Sequence, residues 1–556
     1  MPPKKSSGNL VILLVWLVGT IWFLLWAPRG LDIVDEGFTA VCVQKILAGA
    51  IPHRDFFSIW PAGVYLLNAF LYAILGQNLL WGRLLIALLA STMLALMLAW
   101  GKKAMPPVWL GVLPGLFFIT WGTPMFNLMQ PGWLAVGMGL ISTTFGLFAL
   151  SRPTRAKLFW GGLTLGLTIA FKHNIGLLLG IVWLFLLFNL PKENGKTQGW
   201  WFWFMFGTLL PLMPLLIWLG MNGALEQAYR DLFLLPQEHR LSMSIGQPPP
   251  GWLELGLVML AVLLATSILN RRFAVRWGSL IVTITIIGFI WAQGGQQMLI
   301  TALNTWVFHI PWVGLGLGII LGVWLWQGEA RKRLLLGTAF LLAIHLQIFP
   351  RSDQVHLTFS LATACIIWLL ILENRAWWGK WRTSIISILT VFMVMAAIPA
   401  IIWQFSNFFE LRTLVEDKRL ALDERIVFPN PRAPFLVKPC EVADVQALCV
   451  ELDSRLKPGE PLIALPVQAG VLFLTDHDFP GRYNHYMPGY LKDSDQWEEI
   501  RLWKEKKLPY IVKTDFKVNG LDFAEYCPII ESYITQNYLP IKTMGRFTIL
   551  KYSNPN

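Results

Sequence analysis

The chain has 556 residues, 55% of them hydrophobic and only 14% charged, with 29 Trp and a formal net charge of +12. Soluble proteins carry about 25% charged residues, so a soluble globular protein is excluded; repeated apolar runs able to cross roughly 30 Å of hydrocarbon mark a polytopic α-helical membrane protein. Nucleic acid is not an expected partner, because the basic residues are scattered over short loops between apolar runs, the pattern that orients membrane proteins.

The chain opens with "MPPKKSSGNLVILLVWLVGTIWFLLW". Its charge order is that of a signal peptide, but the apolar run is too long and no small-residue cleavage site follows, which predicts an uncleaved first span. About thirteen spans are expected, centred near residues 18, 90, 114, 141, 165, 182, 210, 260, 284, 316, 341, 365 and 393. The basic loops "PKK", "GKKAM", "SRPTRAK", "PKENGK", "NRRFAVR", "GEARKR" and "NRAWWGKWR" fall on alternate connections. That regularity places the N-terminus in the cytoplasm and the tail outside. The expected division is a transmembrane domain over 1–403 and a small extracytoplasmic α/β domain over 404–556.

The first outer connection, 28–78, is long and holds two stretches with helical apolar spacing, 38–49 and 61–75. Both are expected to lie in the membrane interface, apolar face toward lipid and polar face toward a cavity. The connection over 221–251 reads as a mobile flap with a proline run leading into the next span. "WWFWFMF", beside an inner basic loop, reads as an interface anchor. In the tail, "EVADVQALCVELDSRL" predicts a helix, "PLIALP" and "VLFLTD" strands, "DSDQWEEIRLWKEKK" a helix and "LPYIVKT" a strand. "FAEYCPIIESYITQNY" predicts a helix and "LPIKTMGRFTILKY" one or two strands. No glycine-rich phosphate loop opens any of these helices, which argues against a nucleotide site. The five cysteines form no metal pattern; Cys440 and Cys449 pair in an oxidising compartment or stay as two thiols.

Charges at membrane depth are costly and usually line a polar cavity. Those mapping to the outer side come from five places. The first connection supplies Asp35, Glu36, His53, Arg54 and Asp55, and Arg83 sits just inside the second span. "FKHN" supplies Lys172, "FPRSDQVHL" supplies Arg351, Asp353 and His356, and "DFPGRYNHY" supplies Arg482 and Tyr483. Each has a bland alternative. Asp35 and Glu36 could simply stabilise a helix start, Arg54 and Asp55 could pair with each other, and Arg83 could hold a first-loop acid. Lys172 could snorkel to water, Arg351 and Asp353 could cap the next span, and Arg482 and Tyr483 could be a solvated pair. Functionally, a fixed acid can act as general base and converging cations can bind a phosphate. A cavity facing both lipid and water suits a substrate with an apolar tail and a polar head.

The run "DEG" after the first span, followed by "LAGAIPHRDFF" and "PAGVYLLNAFL", resembles the first outer loop of glycosyltransferases with the C-type membrane fold. These enzymes use polyprenyl-phosphate sugars and are related to protein O-mannosyltransferases and the lipid A aminoarabinose transferase. "FKHN", "FPRSDQVHL" and "LFLTDHDFPGRYNHYMPG" are similar to later segments of the bacterial branch. The resemblance implies a bacterial plasma-membrane enzyme that moves a sugar, with inversion, from a polyprenyl-phosphate donor to an envelope acceptor. It implies Asp35 as catalytic carboxylate with Glu36 beside it, and Lys172, Arg351 and Arg482 as donor-phosphate ligands. His53, Arg54, Asp55, Arg83, Asp353, His356 and Tyr483 would support the substrate or the loop. Relatives often place a carboxylate, which can help hold a divalent metal, after the third span. Here "TPMFNLMQPGW" offers Asn127 and Gln130 instead, so the cofactor is left unknown. The rival reading is a transporter or flippase for a lipid-linked sugar or another anion, although no internal repeat of the kind common in transporters is evident.

Overall fold

The run Ser7–Trp26 contains no charge, and in hydrocarbon its backbone can be satisfied only within itself. It forms one helix, α1 (Ser7–Trp26). The computed structural model describes residues 7–104, 126–190, 199–238, 309–325, 328–348, 354–373 and 425–553. After α1 come two short helices of the first connection, α2 (Asp35–Leu47) and α3 (Gly63–Leu75). There follow α4 (Leu80–Ala104), α5 (Pro131–Ser151), α6 (Arg155–Phe171), α7 (His173–Phe188) and α8 (Trp200–Met221). Then come α9 (His309–Val323), α10 (Gly328–His345) and α11 (Gln354–Glu373).

Five of these, α1, α4, α5, α8 and α11, are long and apolar enough to cross a membrane. Leu10, Val18 and Ile21 on α1, Phe185 and Phe188 on α7 and Phe202 on α8 are exposed, an apolar surface suited to lipid. The protein is a polytopic membrane protein. The expected span centres near 114, 260, 284 and 393 lie outside the described residues, and every other expected centre falls in α1 or α4–α11. Helices pack closely through small residues. A Cβ on Gly162 or Gly166 of α6 would lie 2.2 or 2.3 Å from carbonyl oxygens of α8, so the two backbones touch as small-residue interfaces allow.

The tail contains α12 (Pro439–Arg455), α13 (Gly470–Leu474), α14 (Asp493–Glu505) and α15 (Pro528–Asn537). Its strands are β1 (Ile426–Val427), β2 (Leu436–Val437), β3 (Ile463–Leu465), β4 (Tyr510–Thr514), β5 (Tyr538–Met544) and β6 (Phe547–Tyr552). The main sheet runs β3-β4-β6-β5, with β3 and β4 parallel and the remaining neighbours antiparallel. The segment "VLFLTD", expected as a strand, is instead helix α13. Its residues Gly470–Leu474 are all buried, and a wholly buried short run carries no periodicity to separate helix from strand. The expected helix over 523–538 is broken at Cys527-Pro528 into Phe523–Tyr526 and α15, because proline starts a helix readily but cannot continue one. Cys440 and Cys449 are both free. They stand nine positions apart on α12, about 13 Å along the axis and on opposite faces, which no disulfide can span.

The tail is fastened to the first connection by backbone hydrogen bonds. Leu436 N–H donates to the Pro28 carbonyl at 2.7 Å, Gly470 N–H to Ile33 at 2.8 Å, and Phe57 N–H to Arg482 at 2.8 Å. Helix α2 is therefore not a lipid-facing interfacial helix as expected. Residues Glu36–Val43 are all buried, because α2 lies beneath α13: a Cβ on Gly37 would meet the Gly470 Cα at 2.3 Å. Helix α3 keeps the expected amphipathic character, with Phe70 and Ile74 exposed and Tyr65, Asn68 and Tyr72 buried.

Candidate active site

Asp32 builds the start of α2. Its Oδ1 accepts from Val34 N–H at 3.1 Å and Glu36 N–H at 3.0 Å, the local turn that Asp side chains favour. This turn sends the two adjacent carboxylates to different places. Glu36 is buried and receives Arg83 through Nε at 2.9 Å. The same guanidinium donates to the carbonyls of Ala27, Arg29 and Gly30 at 3.2, 3.0 and 2.9 Å and lies 3.7 Å from the Phe435 ring. Arg83 and Glu36 thus fasten the chain leaving α1 to α2, α4 and the tail.

Asp35 instead lines a cavity of about 210 Å³. Ile59 and Trp60 form one wall, Phe126 and Gln130 another, and Val355, His356 and Phe359 a third. His485, Met487 and Tyr490 of the tail complete it. The walls are fixed from behind. Ser58 Oγ donates to the Trp60 carbonyl at 2.8 Å and lies 2.6 Å from Tyr65 Oη. Trp133 meets Phe359 edge to face at 4.6 Å, and Asn484 Nδ2 reaches Cys42 Sγ at 3.6 Å. Asn127 Nδ2 donates to the Trp26 carbonyl at 2.8 Å, so it braces the end of α1 rather than lining the cavity.

Three helix starts meet at this cavity. Asp35 is the first residue of α2, Gln130 is the N-cap of α5, and Val355 and His356 lie in the first turn of α11. Amide groups at helix starts carry partial positive charge and favour anions. The site can therefore hold a carboxylate of its own and attract a ligand anion. Among the described residues no group of three His, Cys, Asp or Glu side chains converges as a metal centre requires.

Of the other residues singled out in the sequence, Arg482, His53 and Tyr483 come together beside the cavity. Arg482 Nη2 donates to the His53 carbonyl at 2.7 Å and to Asp231 Oδ2 at 3.0 Å. His53 Nδ1 lies 3.2 Å from the same Asp231 oxygen, and Gln227 Nε2 donates to Asp231 Oδ1 at 2.9 Å. Tyr483 stacks on Phe57 at 4.8 Å. This cluster docks residues 225–238, the described part of the expected flap, onto the first connection and the tail. His53 pays for its place with a φ of 68°, a left-handed conformation uncommon outside glycine.

Arg54 pairs with Asp55 at 2.8 Å, and Asp55 also accepts from Ile51 N–H at 2.7 Å. Lys172 is the single extended residue between α6 and α7 and is not among the residues lining the cavity. Arg351 and Asp353 lie outside the described residues. The sequence reading missed His485, Tyr490, Trp60 and Asp231; an Asp in a connection already suspected of closing over the site was the one available signal.

No family model matches the chain, and no curated protein matches it. Among solved structures, ArnT from Cupriavidus metallidurans bound to undecaprenyl phosphate is 12% identical, with 98% of each chain covered and a TM-score of 0.44. The apo oligosaccharyltransferase of Archaeoglobus fulgidus is 11% identical, with 100% of this chain and 75% of that one covered and a TM-score of 0.49. The same organism's oligosaccharyltransferase AglB, in complex with an inhibitory peptide and a dolichol-phosphate, gives 11% identity and 0.44, with 99% and 75% covered. The chain is similar to these structures.

Proposed function

We propose that the protein is an inverting glycosyltransferase that takes a sugar from a polyprenyl-phosphate carrier and gives it to an envelope acceptor on the non-cytoplasmic face. The single observation that carries this reading is the meeting of Asp35 with the starts of α5 and α11 in one cavity. The donor phosphate would lie against those helix starts, with Arg351, five positions before His356 in the sequence, supplying further positive charge. Arg482, held by Asp231, would close the wall rather than meet the phosphate.

Asp35 would take the proton from the acceptor hydroxyl as its oxygen attacks the anomeric carbon. The carbon–oxygen bond to phosphate breaks on the opposite face, and polyprenyl phosphate leaves with the electron pair. One displacement inverts the anomeric centre. A phosphate leaving group needs little protonation, so a single carboxylate serves where glycosidases need two. Trp60, Tyr490, His356 and His485 line the same cavity and would border the sugar.

The test is a mass comparison of envelope lipids and glycans from cells carrying the wild-type chain, no chain, or Asp35→Asn. The expected result is at least one species that lacks a sugar residue in both the deletion and the variant. Identical envelopes from wild-type and Asp35→Asn cells overturn the reading.

A further inference from the structure

We propose that the C-terminal domain carries a second ligand site, a pocket for an acidic saccharide, on the far side of its aromatic cluster from Asp35. The pocket has a volume of about 430 Å³. Trp503 from α14, Tyr533 from α15 and Tyr538 at the start of β5 are buried and form its floor. The rim is Lys504, Lys507, Lys551 and the half-exposed Tyr552. No carboxylate lines it.

Several other cations of this domain are neutralised. Lys513 pairs with Glu531, Lys517 with Asp522, Lys542 with Glu451 and Arg501 with both Glu498 and Glu505. Among the described residues no ion pair is formed by Lys504, Lys507 or Lys551, although all three border one pocket. Lys504 Nζ lies 5.1 Å from the Tyr533 ring centre, and Tyr538 Oη is already committed to the Leu508 carbonyl at 3.1 Å. The floor rings are nearly covered by their neighbours, and Tyr552, 39% exposed, gives the pocket its accessible ring surface.

These features select a ligand. Aromatic faces suit the C–H face of a sugar ring, while three clustered ammonium groups need anionic substituents to offset their mutual repulsion. A neutral glycan would leave the lysines without partners, and a bare phosphate would make no use of the floor. A saccharide bearing carboxylates or phosphates uses both. An anionic lipid headgroup shares this chemistry, but the pocket is built on α14, α15 and the β5–β6 hairpin, whereas β2, α13 and the loop over 481–487 contact the first connection.

Ring contacts join the two sites. Tyr490 of the cavity meets Phe57, Phe57 stacks on Tyr483, and the series continues through Tyr486, Trp503, Tyr533 and Tyr538 to Tyr552, each step 4.8–6.5 Å. The pocket thus sits on the same packed body as the cavity and would hold the part of a glycan acceptor remote from its reacting hydroxyl. That role rests on the transfer reading, whereas the binding does not.

The test is calorimetric titration of the full-length protein, in nanodiscs of uncharged phosphatidylcholine, with tetragalacturonate and with neutral maltotetraose. Tetragalacturonate is expected to bind at least about tenfold more tightly, with an affinity that falls as salt rises. The triple variant Lys504→Ala, Lys507→Ala, Lys551→Ala should lose at least about tenfold of that affinity. Tyr552→Ala, which keeps the charge, should also weaken it. Asp35→Asn should bind as the wild type does, so a failure of transfer and a failure of this pocket are separately visible. Absent or equal binding of the two saccharides overturns the proposal, as does unchanged binding in the triple variant. Lysine-dependent capture of phosphatidylglycerol vesicles without saccharide binding assigns the lysines to lipid and overturns it equally.

Discussion

Asp35 and Glu36 are neighbours in one helical turn, yet one lines a cavity and the other is sealed into an ion pair with a buried arginine. Replacing one partner of such a pair leaves the other charge buried and alone, at a cost of about 3–5 kcal/mol. Arg83→Met is therefore expected to lower the melting temperature sharply, while Asp35→Asn leaves it near the wild-type value; thermal scans of the two purified variants check this. Glu499 makes a different prediction. It is buried and accepts from the Arg482 N–H at 2.7 Å and Tyr486 Oη at 3.1 Å. Burial pushes its carboxyl up from 4.5 to about 7. The folded state thus keeps a proton that the unfolded chain releases near 4.5. Its contribution to stability is full below that value and is lost as pH rises toward about 7, by roughly 3 kcal/mol in total. Hydrogen exchange over 481–486, corrected for intrinsic rates, should show protection falling across this window in the wild type and flat in Glu499→Gln. At this scale Asp35 was legible because a charge beside a long apolar run is conspicuous. His485 and Tyr490 were not, since they stand roughly 450 positions away and ordinary polar sequence surrounds them.

At the scale of elements, the contact between α2 and α13 decides how the tail sits. Gly37 and Gly470 let two backbones approach so closely that a Cβ on Gly470 would lie 2.5 Å from Ile33 Cα. Gly470→Ala is expected to cost about 1–3 kcal/mol by overpacking, read as faster proteolytic release of the tail from the purified protein. The segment over 225–238 depends on Asp231 in the same way, because one carboxylate receives Arg482, His53 and Gln227. Asp231→Ala should raise hydrogen exchange in that segment and in 51–57 together, whereas an independent flap would change alone. Helices α12 and α14 were readable from charge on one face and apolar residues on the other. Helix α13 was not, because burial on all sides erases the pattern that distinguishes the two backbones.

For the whole molecule, composition alone settled the membrane class. The docking of a tail from the end of the chain onto a loop from its beginning could not be read that way, since no local period encodes a contact between distant segments. That docking is what closes the cavity over Asp35: α2 packs against α13, and the tail supplies three of the cavity's lining residues. The most direct measurement uses the purified protein in nanodiscs with a panel of polyprenyl-phosphate sugars and envelope acceptors, following release of polyprenyl phosphate. The account predicts acceptor-dependent release by the wild type and a loss of about 10²-fold or more in Asp35→Asn, with the product inverted at its anomeric carbon. Release by Asp35→Asn at the wild-type rate, or retention of configuration in the product, would contradict it.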